Sequence, residues 1–96
     1  MVIGTLRVTL QVTDSQSLKD KRQVVRSVVA KLRRTFNVAV AEVDGLDSWQ
    51  VVTLGVACVS NETRHADEMC QKVLRFIEGE QGEAVITNSS FELLHL

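Results

Sequence analysis

The chain has 96 residues, of which 45% are hydrophobic and 24% are charged, and its formal net charge is −1. A chain of this length suits one core, so we expect residues 1–96 to form a single domain. No apolar run approaches the roughly 18 residues of a membrane span, and the N-terminal residues do not resemble a signal peptide, so we expect a cytoplasmic protein without a membrane segment. Cys58 and Cys70 form no C-x-x-C pair, which argues against a disulfide framework or a zinc site.

The first two elements are a strand and an amphipathic helix. Residues 2–12 alternate apolar and polar side chains, which is the period of a half-buried strand. After a loop at residues 14–16, Ser17 is expected to cap a helix with Asp20 three residues later, a capping box in which Asp replaces the usual Glu. The apolar residues of this helix share one face that must be buried. They are Leu18, Val25, Val29, Leu32 and Phe36, with Val24 and Val28 widening the face.

Two further strands follow the first helix. Residues 37–44 are rich in valine and alanine, and residues 49–60 place larger apolar side chains on one face and small residues on the other. Between them, Asp44-Gly45 supplies the positive-φ turn chemistry of a hairpin. The sequence therefore predicts an antiparallel pair in the middle of the chain.

The C-terminal part predicts a second helix and a last strand. Asn61 or a neighbour could cap the helix, whose apolar residues recur at helical spacing until Gly79. Gly82 precedes a strand or strand pair at residues 83–96, where the alternation fails near residues 88–90 and predicts a bulge or break.

The resulting order, strand-helix-strand-strand-helix-strand, predicts an α+β fold of the ferredoxin-like type. In this fold both helices cover one face of a four-stranded antiparallel sheet, and the other face is open to solvent or to a partner. That face would carry Thr5, Arg7, Thr9, Ala39, Ala41, Thr53, Gly55 and Ala57. Without central aromatic residues it does not resemble an RNA-recognition sheet that stacks bases. We interpret Trp49, at a strand start, as a packing residue at the rim.

The basic residues are concentrated in the first helix. Seven of the eleven lie within residues 19–34, together with one acid, Asp20, so this segment carries about +6. The rest of the chain has four bases and eleven acids and carries about −7. On the helical wheel Lys19, Arg22, Arg26 and Arg33 form a stripe beside the apolar face. The stripe is either a solvated face with long stems over the core edge or a polyanion-binding surface.

The start of the first helix has its own candidate site. Lys19, Lys21 and Arg22 lie where the helix dipole disfavours cations. Together with free backbone N–H groups and the hydroxyl of the capping serine, they could form a pocket for a phosphate or carboxylate. Alternatively, acids such as Asp14 or Glu42 pair with these cations, and the sequence leaves both alternatives open.

Two motifs resemble the YlxP-like family of small bacterial proteins of unknown function. The first is Ser17-Leu18-Lys19-Asp20-Lys21-Arg22, and the second is Trp49 with Val51-x-x-Leu54-Gly55-Val56-Ala57-x-Val59-Ser60-Asn61. The resemblance spans nearly the whole chain and implies a ferredoxin-like fold. Members tend to be encoded beside translation-initiation and ribosome-maturation genes, which implies by association a link with RNA or the ribosome. The family brings no catalytic residues with it.

Three functions follow as hypotheses. The first is a non-enzymatic module that binds RNA or a ribosome-associated partner through the basic stripe. The second is a homodimer or larger homo-oligomer that acts as an adaptor through its open sheet face, and the third is a small-anion receptor or enzyme at the start of the first helix. The residues assigned to binding are Ser17, Lys19, Lys21, Arg22, Arg26 and Arg33. No phosphate-loop, nucleophile-elbow or metal-ligand motif is present, so we assign no catalytic residue, metal or cofactor.

Overall fold

The structure is a computed structural model that describes residues 1–79 and 84–96. It contains six elements in the predicted order. They are β1 (Val2–Val12), α1 (Leu18–Thr35), β2 (Ala39–Asp44), β3 (Val51–Ser60), α2 (Thr63–Gly79) and β4 (Ala84–His95). The four strands form one antiparallel sheet in the order β2-β3-β1-β4. This confirms the predicted ferredoxin-like α+β fold.

The core lies between one face of the sheet and the two helices. In the register of β1 and β3, Leu6 pairs with Val56 and Val8 with Leu54, so their side chains lie on the same face. The remaining core residues include Leu10, Val25, Val28, Leu32, Val40, Val52, Cys70, Val73 and Ile77. Phe36 and Phe76 join the two helices through an edge-to-face contact, with ring centroids 5.5 Å apart. The predicted apolar face of the first helix is therefore confirmed, with its buried centre on Val25, Val28 and Leu32.

The hairpin between β2 and β3 is wider than predicted. Each strand begins two residues later than expected, and residues 45–50 form the connecting loop. Gly45 has a φ of +77°, as the turn chemistry predicted. A Cβ at this position would lie 2.8 Å from the carbonyl oxygen of Val51, so the loop conformation requires glycine.

The last strand carries the predicted irregularity. The register with β1 shifts between Thr9, which pairs with Asn88, and Leu10, which pairs with Ile86. Thr87 is therefore the extra residue of a bulge that lies directly before the predicted segment. The expected strand start at Glu83, and Gly82 before it, lie outside the described residues.

The two cysteines are buried thiols, Cys58 on β3 and Cys70 on α2. A Cβ at Gly4 would lie 3.0 Å from Cys70 Sγ and 3.1 Å from the Ala66 carbonyl oxygen, so α2 rests directly on the backbone of β1. Burial raises the pKa of Cys58. Burial also raises the pKa of Cys70 to about 11, with smaller contributions from Cys58 and Asp67.

The buried thiol of Cys70 predicts a loss of stability in alkali. Its pKa is 9.0 in the ordinary case and about 11 in the fold, so the folded chain keeps a proton that the unfolded chain releases. The free energy of unfolding should fall by about 2–3 kcal/mol as the pH rises from about 9 to about 11. Urea unfolding across this range measures it. Cys70→Ala should be less stable than the wild type at neutral pH, but its free energy of unfolding should fall less steeply as the pH rises. If the free energies of both proteins fall in parallel, the loss of stability does not come from Cys70.

Candidate functional site

The start of α1 is capped by its own side chains. Ser17 Oγ accepts a hydrogen bond from the backbone N–H of Asp20 at 3.1 Å, which confirms Ser17 as the N-cap. The carboxylate of Asp20 reaches back to the N–H of Gln16 at 3.3 Å rather than to that of Ser17. Protein oxygens therefore accept hydrogen bonds from two backbone N–H groups at this helix end.

Lys21 points into the protein. Its side chain is only 1% exposed, and its Nζ donates hydrogen bonds to the carbonyl oxygens of Gly45 at 2.7 Å and Val51 at 3.3 Å. These carbonyls lie at the two ends of the β2–β3 loop, so a single ammonium group holds the loop against the first turns of α1. The structure thereby separates Lys21 from the exposed cations with which the sequence had grouped it.

The helical spacing contains a signal for this inward position. Lys21 lies four residues before Val25, seven before Val28 and eleven before Leu32, and all four residues are buried on one face of α1. A lysine at the first position of an apolar seam must either extend past the core to water or find acceptors inside. The carbonyls of the β2–β3 loop provide such acceptors, and the sequence pattern alone does not reveal them.

Lys19, Arg22 and Arg26 are exposed on α1. In the part of the chain that the structure describes, none of the three has a hydrogen-bond or ion-pair partner. Asp14 and Glu42, the acids that could have neutralised them, do not pair with them within those residues. We refer to Lys19, Arg22 and Arg26 as the basic face.

Arg33 belongs to the same helical stripe but has an internal contact. Its Nη2 donates to the carbonyl oxygen of Val40 on the edge strand β2 at 2.8 Å. With Arg26 and Glu42 it lines a cleft of about 220 Å³ between α1 and β2. Arg33 therefore helps to fix α1 on the sheet, and its charge lies at the far end of the basic face.

The open face of the sheet is formed by small residues. A shallow apolar depression of about 230 Å³ lies over Ala39, Ala41, Gly55 and Ala57. Beside it, Val43 covers Gly55 so closely that a Cβ at Gly55 would lie 2.8 Å from Val43 Cγ1. The hydroxyls of Thr9 and Thr53 hydrogen-bond to each other at 2.9 Å across β1 and β3.

The β2–β3 loop projects two large apolar side chains into solvent. Leu46 is 57% exposed and Trp49 is 52% exposed. About half of the Trp49 surface is thus exposed to solvent, which is more than we expected for a residue that packs at the rim.

Residues 1–79 and 84–96 contain neither a metal-ligand cluster nor a membrane-spanning helix. No three histidine, cysteine or acidic side chains among them are placed to hold a metal ion. None of the helices in these ranges is both long and apolar enough to cross a bilayer.

The contact of Lys21 with the loop predicts an asymmetry between neighbouring lysines. Lys21→Met removes the charged donor of two carbonyls while keeping a similar shape, and should lower the free energy of unfolding by about 1–3 kcal/mol. Lys19→Met, at an exposed position, should change it by no more than about 0.5 kcal/mol. Urea denaturation of both variants measures the difference. A Lys21→Met protein as stable as Lys19→Met would show that the buried ammonium does not stabilise the loop.

Comparison with known proteins places the chain among relatives whose function is also open. Residues 3–91 match the family described as "Protein of unknown function (DUF503)". The uncharacterised protein YlxP of Bacillus subtilis is 32% identical over 77 residues, which cover 80% of this chain and 84% of that protein.

A solved structure shares the fold without close sequence similarity. It is SnoaB, a cofactor-independent oxygenase from Streptomyces nogalater, with a TM-score of 0.56 and 9% identity, covering 100% of this chain and 94% of that one. At this identity the likeness shows the fold alone. The family match and the B. subtilis relative agree with the motifs of the first helix and third strand, and this chain therefore belongs to the DUF503, or YlxP-like, family of proteins of unknown function.

Proposed function

We propose that this protein is a non-enzymatic RNA-binding module whose basic face contacts backbone phosphates. The observation that carries the proposal is that Lys19, Arg22 and Arg26 are exposed and, within the described residues, form no ion pair with an acid. Three cations on consecutive turns of one helix provide a row of donors for an anionic backbone.

The position of these charges strengthens the proposal over a merely solvated helix face. A cation in the first turn of a helix costs about 0.3–1 kcal/mol, and Asp20 offsets only part of this for Lys19, with Arg22 following in the next turn. Solubility could be served by charges placed elsewhere at no such cost. An anionic ligand would offset this cost, because the bound phosphates would be attracted both by the cations and by the helix N-terminus.

The distribution of charge over the chain favours the same ligand. Residues 19–34 carry about +6 while the remaining residues carry about −7. Such a separation orients a polyanion toward one side of the protein during encounter. Ribosomal RNA is the first ligand to test, in line with the neighbourhood of translation genes in which the family tends to be encoded.

The residues that the sequence assigned to binding have two roles in this proposal: some would contact phosphate, and the others would hold the basic face in place. Lys19, Arg22 and Arg26 would contact phosphate, and Arg33 would add charge at the far end of the helix. Ser17 and Lys21 would support the face from within, by capping α1 and by holding the adjacent loop.

The proposal predicts a modest dependence of RNA affinity on salt. Three phosphate contacts give a slope of about −2.1 for log K against log salt with single-stranded RNA, so affinity should fall about 20-fold between about 50 and about 200 mM salt. Fluorescence anisotropy with labelled RNA measures the slope. Arg22→Gln combined with Arg26→Gln should reduce it to about −0.7.

A charge-matched control separates this face from net charge. Lys72→Gln combined with Arg75→Gln removes the same charge from exposed positions on α2 and should leave affinity within about twofold. Equal losses in the two double variants, or affinity that does not change with salt, would contradict the proposal.

One observation favours a second candidate, a homo-oligomeric adaptor. The depression over Ala39, Ala41, Gly55 and Ala57 is apolar and lets another backbone approach closely. Two copies that face each other across their open sheets would bury these small residues.

Sedimentation velocity tests this candidate. Ala39 is exposed in the single chain, so Ala39→Asp should leave the fold intact but place a charge in the apolar dimer interface and dissociate the dimer. The variant in which Arg22 and Arg26 are both replaced by Gln should remain dimeric. A wild-type protein that is monomeric at every concentration would exclude the sheet-to-sheet dimer.

A further inference from the structure

Trp49 is the one tryptophan of a chain that has no tyrosine, and it is 52% exposed. Its neighbour in the loop, Leu46, is exposed as well. Burying a large indole stabilises a small protein more than burying almost any other side chain. Here about half of the Trp49 surface stays in solvent, so about half of that stabilisation is not gained. The position of Trp49 is therefore not explained by packing.

The loop that presents Trp49 is fixed by hydrogen bonds on both sides of the indole. The carbonyl oxygen of Gly45 accepts from the N–H of Ser48 at 3.1 Å as well as from Lys21 Nζ. Ser48 Oγ accepts from the N–H groups of Gln50 at 3.3 Å and Val51 at 3.0 Å, and the Gln50 carbonyl accepts from Val12 at 2.6 Å. An exposed ring on an already ordered loop can bind without a large entropic cost of ordering.

Lys21 brings this loop to the basic face. It lies between Lys19 and Arg22 in the first turns of α1, and its Nζ contacts the carbonyls at both ends of the loop. The segment that carries Trp49 is thus docked against the end of α1 from which Lys19 and Arg22 extend into solvent. Exposed cations and an exposed aromatic ring therefore lie on two elements that a buried contact joins.

This combination is the one that binds single-stranded nucleic acid. Cations follow the phosphate backbone while an aromatic ring stacks on an unpaired base, whose flat face is hidden in a duplex. The open sheet face has no aromatic ring at its centre, and the other exposed aromatic side chain of the described residues, Phe91, lies on β4 at the sheet edge opposite β2. Stacking beside the basic face would therefore occur on the loop. We infer that Trp49 is a base-stacking residue and that the ligand of the basic face is single-stranded RNA. The inference rests on the proposed function and adds strand selectivity to it.

The single tryptophan provides the readout for a direct test. Unlabelled oligouridine titrated into the wild-type protein at low salt should quench the emission of Trp49, with the same midpoint as the anisotropy curve of a labelled copy. Trp49→Ala should weaken binding about 5- to 150-fold, whereas Trp49→Phe should keep most of the affinity. Leu46→Ala, which shortens the other exposed apolar side chain of the loop, should change it by no more than about twofold.

The outcomes distinguish this inference from the proposed function. Binding that needs Arg22 and Arg26 but neither quenches Trp49 nor weakens in Trp49→Ala overturns stacking and leaves the RNA-binding module in place. Equal or tighter binding of a base-paired duplex of the same length also overturns it. If the wild type binds no RNA of either kind, the proposed function fails and the inference fails with it. Thermal melts of Trp49→Ala and Leu46→Ala should agree, so that unfolding does not account for a loss.

Discussion

The hydrogen bonds from the buried ammonium of Lys21 to the carbonyls of Gly45 and Val51 are the contact on which the candidate site depends. A buried cation is costly unless its donors are satisfied, and here the acceptors are backbone carbonyls of a loop. The requirement works in both directions, because the ammonium needs this loop conformation and the loop needs a donor. The start of α1 and the β2–β3 loop consequently form one structural unit, although 24 residues separate Lys21 from Gly45 in sequence.

Basic residues that look equivalent in the sequence have three different roles in the structure. Lys21 is buried and donates hydrogen bonds inside the protein, and Arg33 donates a hydrogen bond to the carbonyl oxygen of Val40 on the edge strand. The basic face extends into solvent. The difference comes from rotation about the helix axis, since Lys21 is in line with Val25 while Lys19 and Arg22 lie together on one side of the seam. A count of charges therefore overstates the binding surface, and the helical phase corrects it.

The sequence predicted the features that depend on local pattern. The alternation of β1, the capping by Ser17, the positive φ of Gly45 and the irregularity in β4 all follow from the residues at those positions. The predicted start of β3 was two residues early because residues 49 and 50 precede a strand-like run of residues, whereas the hydrogen bonds of Ser48 keep them in the loop. Helical phase marks Lys21 as facing inward, but the carbonyl acceptors of Lys21 and Arg33 were not predictable, because only the folded chain brings them near.

The contrast between the two exposed surfaces favours the helix side as the site of ligand binding. On the open sheet face the polar groups are largely matched within the chain, since Thr9 bonds Thr53 and Arg7 lies 3.6 Å from Asp44. Every buried side-chain nitrogen or oxygen among the described residues also has a partner. On the helix side, the basic face and Trp49 extend into solvent from two elements that the buried Lys21 holds together. Their combined chemistry, positive charge beside an aromatic surface, is complementary to a backbone phosphate beside an unpaired base.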